Sequence, residues 1–280
     1  MKDFQGKVAV ITGGASGLGL EIARLAAKKG MKLVLSDIEE RTLKQAEREF
    51  SALGVEVLAV RSNVALAKDV DFLAQQTLAR FGAVHLLFNN AGVALNKTTW
   101  ETTVADWEWV LGVDLWGVIH GVRVFAPIML KQDTPCHIIN TASVAGMLST
   151  QGMAAYNVAK HGVVTLSETL YHDLRRRDAK IDVSVLCPAW VSTGIWDSAR
   201  NRPGELQNAV EQKSADDVKL EESARHAIQS GKVTAPQVAE IVFNAIKNNQ
   251  FYILTHPKIK KWIGLRVEDI LEDRQPSPQA

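Results

Sequence analysis

Apolar positions along the chain follow two rhythms. Short runs dominated by Val, Ile and Leu occupy Lys7–Thr12, Lys32–Ser36, Val55–Val60, His85–Asn89, His137–Thr141 and Asp182–Leu186. None alternates with polar residues, the pattern of strands buried on both faces of a parallel sheet. Between them lie stretches with helical spacing, such as Leu18, Ile22, Leu25 and Ala26, and then Ala67, Val70, Leu73 and Ala74. Repeated β-α units of this kind predict an α/β fold: a doubly wound parallel sheet with right-handed crossovers and helices on both faces.

The regular alternation stops after Leu186. Residues 189–233 carry Pro203, Gly204, many charges and apolar residues at helical spacing, but no clear strand. They predict an insertion of one or two helices that forms a mobile, helical substrate lid with few buried contacts. Thr234 and Gln237 then make a capping box for a helix running to about Ile246. Phe251–Thr255 has the composition of a last strand, Lys258–Leu271 of a surface helix, and Pro276-Ser277-Pro278 of a frayed tail. The expected organisation is one domain over residues 1–255, with 189–233 as its lid, followed by a C-terminal helix and tail over 256–280.

Composition narrows the function classes. Hydrophobic residues make up 46% of the 280, enough for a packed core, and 32 basic against 31 acidic residues leave a net charge of +1. Such a balance provides no field to collect nucleic acid or an anionic membrane surface. The first apolar run, Val8 to Ile11, is too short for a signal-peptide core, and no stretch of about 18 apolar residues reads as a membrane span. Two cysteines, Cys136 and Cys187, both in apolar runs, read as buried thiols rather than a disulfide framework or metal site. The seven histidines show no ligand spacing, so no metal is expected, and the expected location is cytoplasmic.

Thr12-Gly13-Gly14-Ala15-Ser16-Gly17-Leu18-Gly19 falls between the first strand and the first helix. There a doubly wound sheet offers a helix N-terminus to a dinucleotide pyrophosphate, and glycines let the backbone come close to it. Asp37 ends the second strand, where a carboxylate accepts hydrogen bonds from the adenosine ribose of NAD and repels the extra phosphate of NADP. Ile38 follows in place of a basic residue that would hold that phosphate, while Arg41 is near enough to leave an NADPH-linked alternative open. Downstream, Tyr156 and Lys160 are four apart within the helical stretch Ala154 to Leu174 and so share one face. Ser143 follows the fifth strand at the sheet's carboxyl edge, where ligands bind.

In order and spacing, these pieces resemble the short-chain dehydrogenase/reductase superfamily over about residues 6–194. The matching segments are Thr12-Gly13-x-x-x-Gly17-x-Gly19, Asn89-Asn90-Ala91-Gly92, Ser143, Tyr156-x-x-x-Lys160, and Pro188 through Thr193. The resemblance implies a Rossmann-type single domain, a nicotinamide cofactor and a serine-tyrosine-lysine site. It also implies that Asn90 and Gly92 line the adenine ribose side, Asn63 and Val64 the adenine, and Val191 and Thr193 the nicotinamide carboxamide. A homodimer or homotetramer is expected, although the chain lacks the family's usual glycine-rich final strand. The asparagine the family carries in the helix after Asn-Ala-Gly is replaced here by Asp114, within Asp114-Leu115-Trp116-Gly117. Asp114 either adds negative charge beside Lys160 or points away and bonds only backbone.

In this chemistry Tyr156 takes the alcohol proton as hydride leaves, and Ser143 hydrogen-bonds the substrate oxygen. A phenol at about 10 needs roughly 4 kcal/mol to titrate near 7, about what one ammonium some 4 Å away supplies at an effective dielectric near 20. Lys160 is expected to supply it and to hold the nicotinamide ribose. Trp190, Ile195 and Trp196, with Met147, Leu148 and Met153 in the loop beyond Ser143, either shape a site for a bulky, apolar or aromatic secondary alcohol or ketone, or only pack the lid on the sheet. Arg200-Asn201-Arg202-Pro203 resembles a family subgroup acting on aryl alcohols, or is ordinary surface. The expected function is therefore an NAD(H)-linked alcohol dehydrogenase or ketone reductase. A non-catalytic NAD-sensing regulator of the same fold would keep the glycine loop and lose the Tyr-x-x-x-Lys pair.

Overall fold

The computed structural model describes residues 1–209, 218, 222 and 231–278. The apolar runs form the strands Val8–Thr12 (β1), Lys32–Asp37 (β2), Val57–Arg61 (β3), Leu86–Asn89 (β4), Cys136–Thr141 (β5), Ile181–Cys187 (β6) and Tyr252–Leu254 (β7). They pair in the order β3-β2-β1-β4-β5-β6-β7, each pair parallel, as a Rossmann-type α/β sheet. The period-two geometry of a strand sends alternate residues to opposite faces. Ala9 and Ile11 of β1 join one core with helices Gly17–Lys28 (α1), Glu40–Ala52 (α2) and Ala235–Lys247, while Val8 and Val10 join the other with Ala67–Phe81 (α3), Gly117–Gln132 and Ala154–Arg176. Both faces are therefore covered, and the strands need no polar alternation.

Chain order places the site. After β1 the chain winds outward through β2 and β3, then returns to lay β4 on the other side of β1. The reversal opens a crevice at the carboxyl ends of β1 and β4, the place where doubly wound sheets bind ligands.

The stretch Val104–Gln132 runs as α4 (Val104–Leu111), a π-helical turn over Gly112–Trp116 and α5 (Gly117–Gln132). By length and composition alone this run could cross a membrane, with a window of mean hydropathy 1.4, although it carries charged residues such as Asp114 and Arg123. Residues such as Phe125 and Met129 are buried in the sheet-side core. α6 (Ala154–Arg176) follows β5, and α7 (Ala235–Lys247) starts at the expected capping box, with both Thr234–Gln237 hydrogen bonds formed.

One expectation is corrected here. The tail is not frayed as far as Pro278: after α8 (Ile259–Leu271) the Ser277 N–H donates to Asp269 Oδ2 at 2.8 Å and its hydroxyl to Oδ1 at 3.2 Å. The described part of the expected lid contains 3-10 turns, Gly194–Asn201 and Gly204–Leu206, and makes buried side-chain contacts. Arg202, with 8% of its side chain exposed, donates to the fully buried Asp106 of α4 at 2.6 Å, lies 5.1 Å from the Trp109 ring centroid, and is joined on Asp106 by Asn208 at 2.8 Å. Residues 210–230 of the expected lid lie outside the described residues, apart from Val218 and Glu222.

Candidate active site

The glycine loop is built for close approach. Gly13 has φ +63°, and a Cβ on Gly19 would sit 2.0 Å from Gly13 O, so only glycine lets α1 start beneath the loop. Gly19 itself packs under the loop and does not face the cavity. Thr12 Oγ1 stitches β1 to β4, accepting from the N–H groups of Asn90 at 2.9 Å and Ala91 at 3.0 Å. The Asn90 amide donates to Thr12 O at 3.0 Å, so its side chain also braces the loop.

A long cavity runs along the carboxyl edge of the sheet. At one end Asp37 Oδ2 accepts from Ala15 N at 3.1 Å and Oδ1 from Glu39 N at 3.1 Å, which aims the carboxylate along the wall between loop and β2. Burial pushes its pKa above the ordinary carboxylate value, against the pull of those N–H groups. Gly13, Ser16, Gly17, Leu18, Ile38, Asn63, Val64, Ala91, Gly92, Pro188, Val191 and Thr193 also line the cavity, with Gly17 against Thr193 and Gly92 beside Lys160 toward its other half.

The chemistry-bearing groups converge at that other half. Tyr156 and Lys160 project from the first turns of α6, with the Lys160 Nζ 5.4 Å from the Tyr156 ring centroid. Lys160 donates to Thr141 O at 3.2 Å, which anchors it to the end of β5. Ser143 N-caps the short 3-10 turn Val144–Gly146; its Oγ accepts from Ala145 N at 3.2 Å and donates to Pro188 O at 3.4 Å.

Asp114 does not point away. It sits fully buried in the π-helical turn, with Oδ2 3.2 Å from Lys160 Nζ and Oδ1 accepting from Val93 N at 2.7 Å. A π-turn widens the helix locally, and such turns concentrate at functional sites. Burial disfavours the Lys160 ammonium, but Asp114 and Tyr156 together outweigh it, and the lysine titrates above its ordinary range; burial likewise pushes Asp114 above the ordinary carboxylate value, against the pull of Lys160 and the Val93 N–H. Burial also raises Tyr156; Lys160 and a hydrogen bond with Ser143 pull it down, and Asp114 pushes it up. The direction is upward, so the protein's own groups do not bring the phenol toward 7 without the positive nicotinamide ring that is expected to help Lys160. Cys187, behind this group, is pushed up to about 12 by burial and remains a neutral thiol.

Trp190, Ile195 and Met153 line the cavity beside Ser143 and Tyr156. Met147 and Trp196 do not. Met147 packs against the core that holds Val118, Ala142 and Val163, and Trp196 stands partly exposed, outside the cavity wall. The wall also contains Trp109 and Val113 from α4 and its π-turn, and Ile259 from the first turn of α8. These three were not read from the sequence, because only the crossovers bring them to this edge.

A glycine cradle at a helix N-terminus, a buried carboxylate at the end of β2 and a buried tyrosine-lysine pair define a dinucleotide-dependent oxidoreductase site. A family model described as short chain dehydrogenase matches residues 7–204, and the chain belongs to the short-chain dehydrogenase/reductase superfamily. It is 38% identical to a "CLA biosynthesis dehydrogenase/reductase" of Lactiplantibacillus plantarum, covering 99% of this chain and 97% of that one. It is 30% identical to a "C alpha-dehydrogenase" of Sphingobium sp., over 99% and 89% of the two chains. A crystal structure of a short-chain dehydrogenase/reductase from Burkholderia phymatum in complex with NAD superposes with a TM-score of 0.97, at 49% identity and over 100% and 99% of the chains.

Proposed function

We propose that the protein transfers a hydride between NAD(H) and a secondary alcohol or ketone that is bulky and apolar or aromatic, with Tyr156, Ser143 and Lys160 as the reacting machinery. The observation that carries this is the meeting of Tyr156, Lys160 and Ser143 in one cavity with the glycine loop and Asp37. The residues fit a dinucleotide: the loop N–H groups and the start of α1 suit a pyrophosphate, and Asp37 suits ribose hydroxyls and opposes a 2′-phosphate. NAD supplies the hydride acceptor, and NADH the donor.

The chain's own residues manage the proton. Ser143 Oγ offers a hydrogen bond to the substrate oxygen and stabilises the charge that develops there. Tyr156 Oη gives or takes the proton at that oxygen. Lys160, fixed between Asp114 and Thr141 O, holds positive charge beside the phenol and is placed to bind ribose hydroxyls. Asp114, which touches Lys160 and not the reacting atoms, positions and neutralises it. Trp109, Met153, Trp190, Ile195 and Ile259 give the substrate half its apolar wall, and this favours an uncharged apolar substituent over a sugar. The names of the relatives, dehydrogenase and reductase, support the same reaction class.

The test is absorbance at 340 nm with a panel of secondary alcohols and ketones, run in parallel with NAD(H) and NADP(H). Apolar substrates with NAD(H) are expected to turn over, and Tyr156→Phe is expected to reduce kcat by at least roughly a hundredfold, the usual worth of a general acid-base group, while NAD binding persists. Near-normal turnover in Tyr156→Phe would remove the phenol from the mechanism. NAD binding without turnover of any panel member would instead favour an NAD-sensing role.

A further inference from the structure

The turn after β2 carries a second carboxylate, one that nucleotide binding as described leaves unused. Glu39 lies two residues beyond Asp37 and reaches the segment after β6. There its Oε1 accepts from Arg200 Nη2 at 2.6 Å and from Asn201 Nδ2 at 2.7 Å. Arg200 Nη1 donates to Asp197 O at 2.8 Å and Gly194 O at 3.3 Å, so the guanidinium is held between a carboxylate and a turn of its own chain. Asp37, Ile38, Glu39, Arg200 and Asn201 line the same cavity. The Asn201 hydrogen bond, with Arg200 and then Arg41, holds Glu39 below its ordinary carboxylate range against burial, so the carboxylate is charged at neutral pH.

We propose that Glu39 is a cofactor-specificity residue that acts by masking Arg200, a guanidinium otherwise placed to bind a phosphate on the adenosine ribose. Phosphate recognition needs a guanidinium fork with free N–H groups, presented at the right end of the cavity. Arg200 is such a group with its fork already occupied. In the charge balance at this end, Asp37, Glu39 and Asp197, whose Oδ2 lies 3.8 Å from Arg200 Nη1, oppose Arg200 and Arg41, so an incoming phosphate dianion meets no net attraction. With Glu39 neutral, one negative charge is removed from this end and Arg200 Nη2 loses its carboxylate partner. Asp37 thus repels the 2′-phosphate, and Glu39 withholds the residue that would attract it. The inference concerns the nucleotide only, so it stands or falls independently of the substrate proposed above.

The test is isothermal titration of NAD+ and NADP+ into the wild type, Glu39→Gln, Arg200→Gln and the double variant, without substrate. Glutamine retains an amide oxygen for Asn201, and both side chains are partly exposed, so the fold is expected to persist; melting curves check it. Glu39→Gln is expected to tighten NADP+ about tenfold, the effect of one unit charge at partly screened range, and to leave NAD+ within about twofold. The gain is expected to vanish in the double variant, to be absent in Arg200→Gln alone, and to shrink as salt rises. An NADP+ affinity unchanged in Glu39→Gln overturns the proposal, as does a gain that survives removal of Arg200.

Discussion

Asp114 shows how one residue resets a site whose other parts follow the family pattern. Its carboxylate makes an ion pair with Lys160 at 3.2 Å where neither side chain is more than 3% exposed. Around the Tyr156 phenol the charged and titratable neighbours are Lys160, Asp114 and Cys187, with Ser143 hydrogen-bonding. Part of the ammonium's pull on the phenol is therefore cancelled, and the phenol stays protonated to higher pH, which suits a proton donor in ketone reduction. In the reaction proposed above, alcohol oxidation needs the deprotonated phenol, so its kcat/KM is expected to rise with pH along an acid limb set by Tyr156. In Asp114→Asn one negative charge is removed, the phenol becomes more acidic, and the limb is expected to move down by roughly one pH unit, as for a unit charge several ångströms away at an effective dielectric of about 40. The pH profile of kcat/KM in both proteins checks this, and an unmoved limb would make Asp114 a packing residue alone. In the sequence Asp114 was visible only as a departure from a pattern. Its contact with Lys160 depends on the π-turn and on α6 lying beside it, and neither is encoded in local spacing.

At the scale of elements, the strands and the helices between them were legible because each is specified locally. Continuous Val/Ile/Leu runs can only be strands covered on both faces, and the Thr234–Gln237 box marks the start of α7 by its own chemistry. The segment after β6 was not legible. Its charges and Pro203 read as mobile, yet they find partners far away in sequence, Arg202 on Asp106 and Arg200 on Glu39. We propose that residues 194–208 form a fixed wall of the cavity rather than a flap. Asp106 holds this wall through Arg202 and Asn208 and is itself capped by Thr103 N at 2.9 Å. Truncation in Asp106→Ala leaves a nearly buried guanidinium without its carboxylate and is expected to cost about 3 kcal/mol. Hydrogen exchange is expected to be slow over 194–208 in the ligand-free wild type and fast in Asp106→Ala. Fast exchange over 194–208 already in the ligand-free wild type would return the segment to the mobile lid the sequence suggested.

Across the whole molecule, one buried histidine ties the sheet's stability to pH. His137 is fully buried on β5, and its Nε2 lies 2.7 Å from Ser184 Oγ on β6. The Ser184 hydroxyl donates to Gln250 O at 2.7 Å, so it must accept from His137, which puts the ring proton on Nε2. Nδ1 then has no hydrogen-bond partner among the described residues, and a proton added there would be a buried, unpaired charge. Burial first, with the N-terminal ammonium and Arg175 adding, lowers the pKa from 6.5 to about 3. The unfolded chain binds this proton below about pH 6.5, whereas the folded chain resists it until about pH 3. Protons therefore favour unfolding throughout that window. The contribution of His137 to stability is complete above pH 6.5 and falls by up to about 1.4 kcal/mol per pH unit below it, roughly 3 kcal/mol between pH 6 and pH 4. Replacing the ring with a neutral amide that still donates to Ser184, as in His137→Gln, removes this titration. Urea unfolding midpoints measured from pH 7 to pH 4 are expected to fall more steeply in the wild type than in His137→Gln, even where the variant is less stable at pH 7. Parallel slopes would mean that His137 takes up its proton inside the fold, and that the β5–β6–β7 edge opens to water before the sheet unfolds.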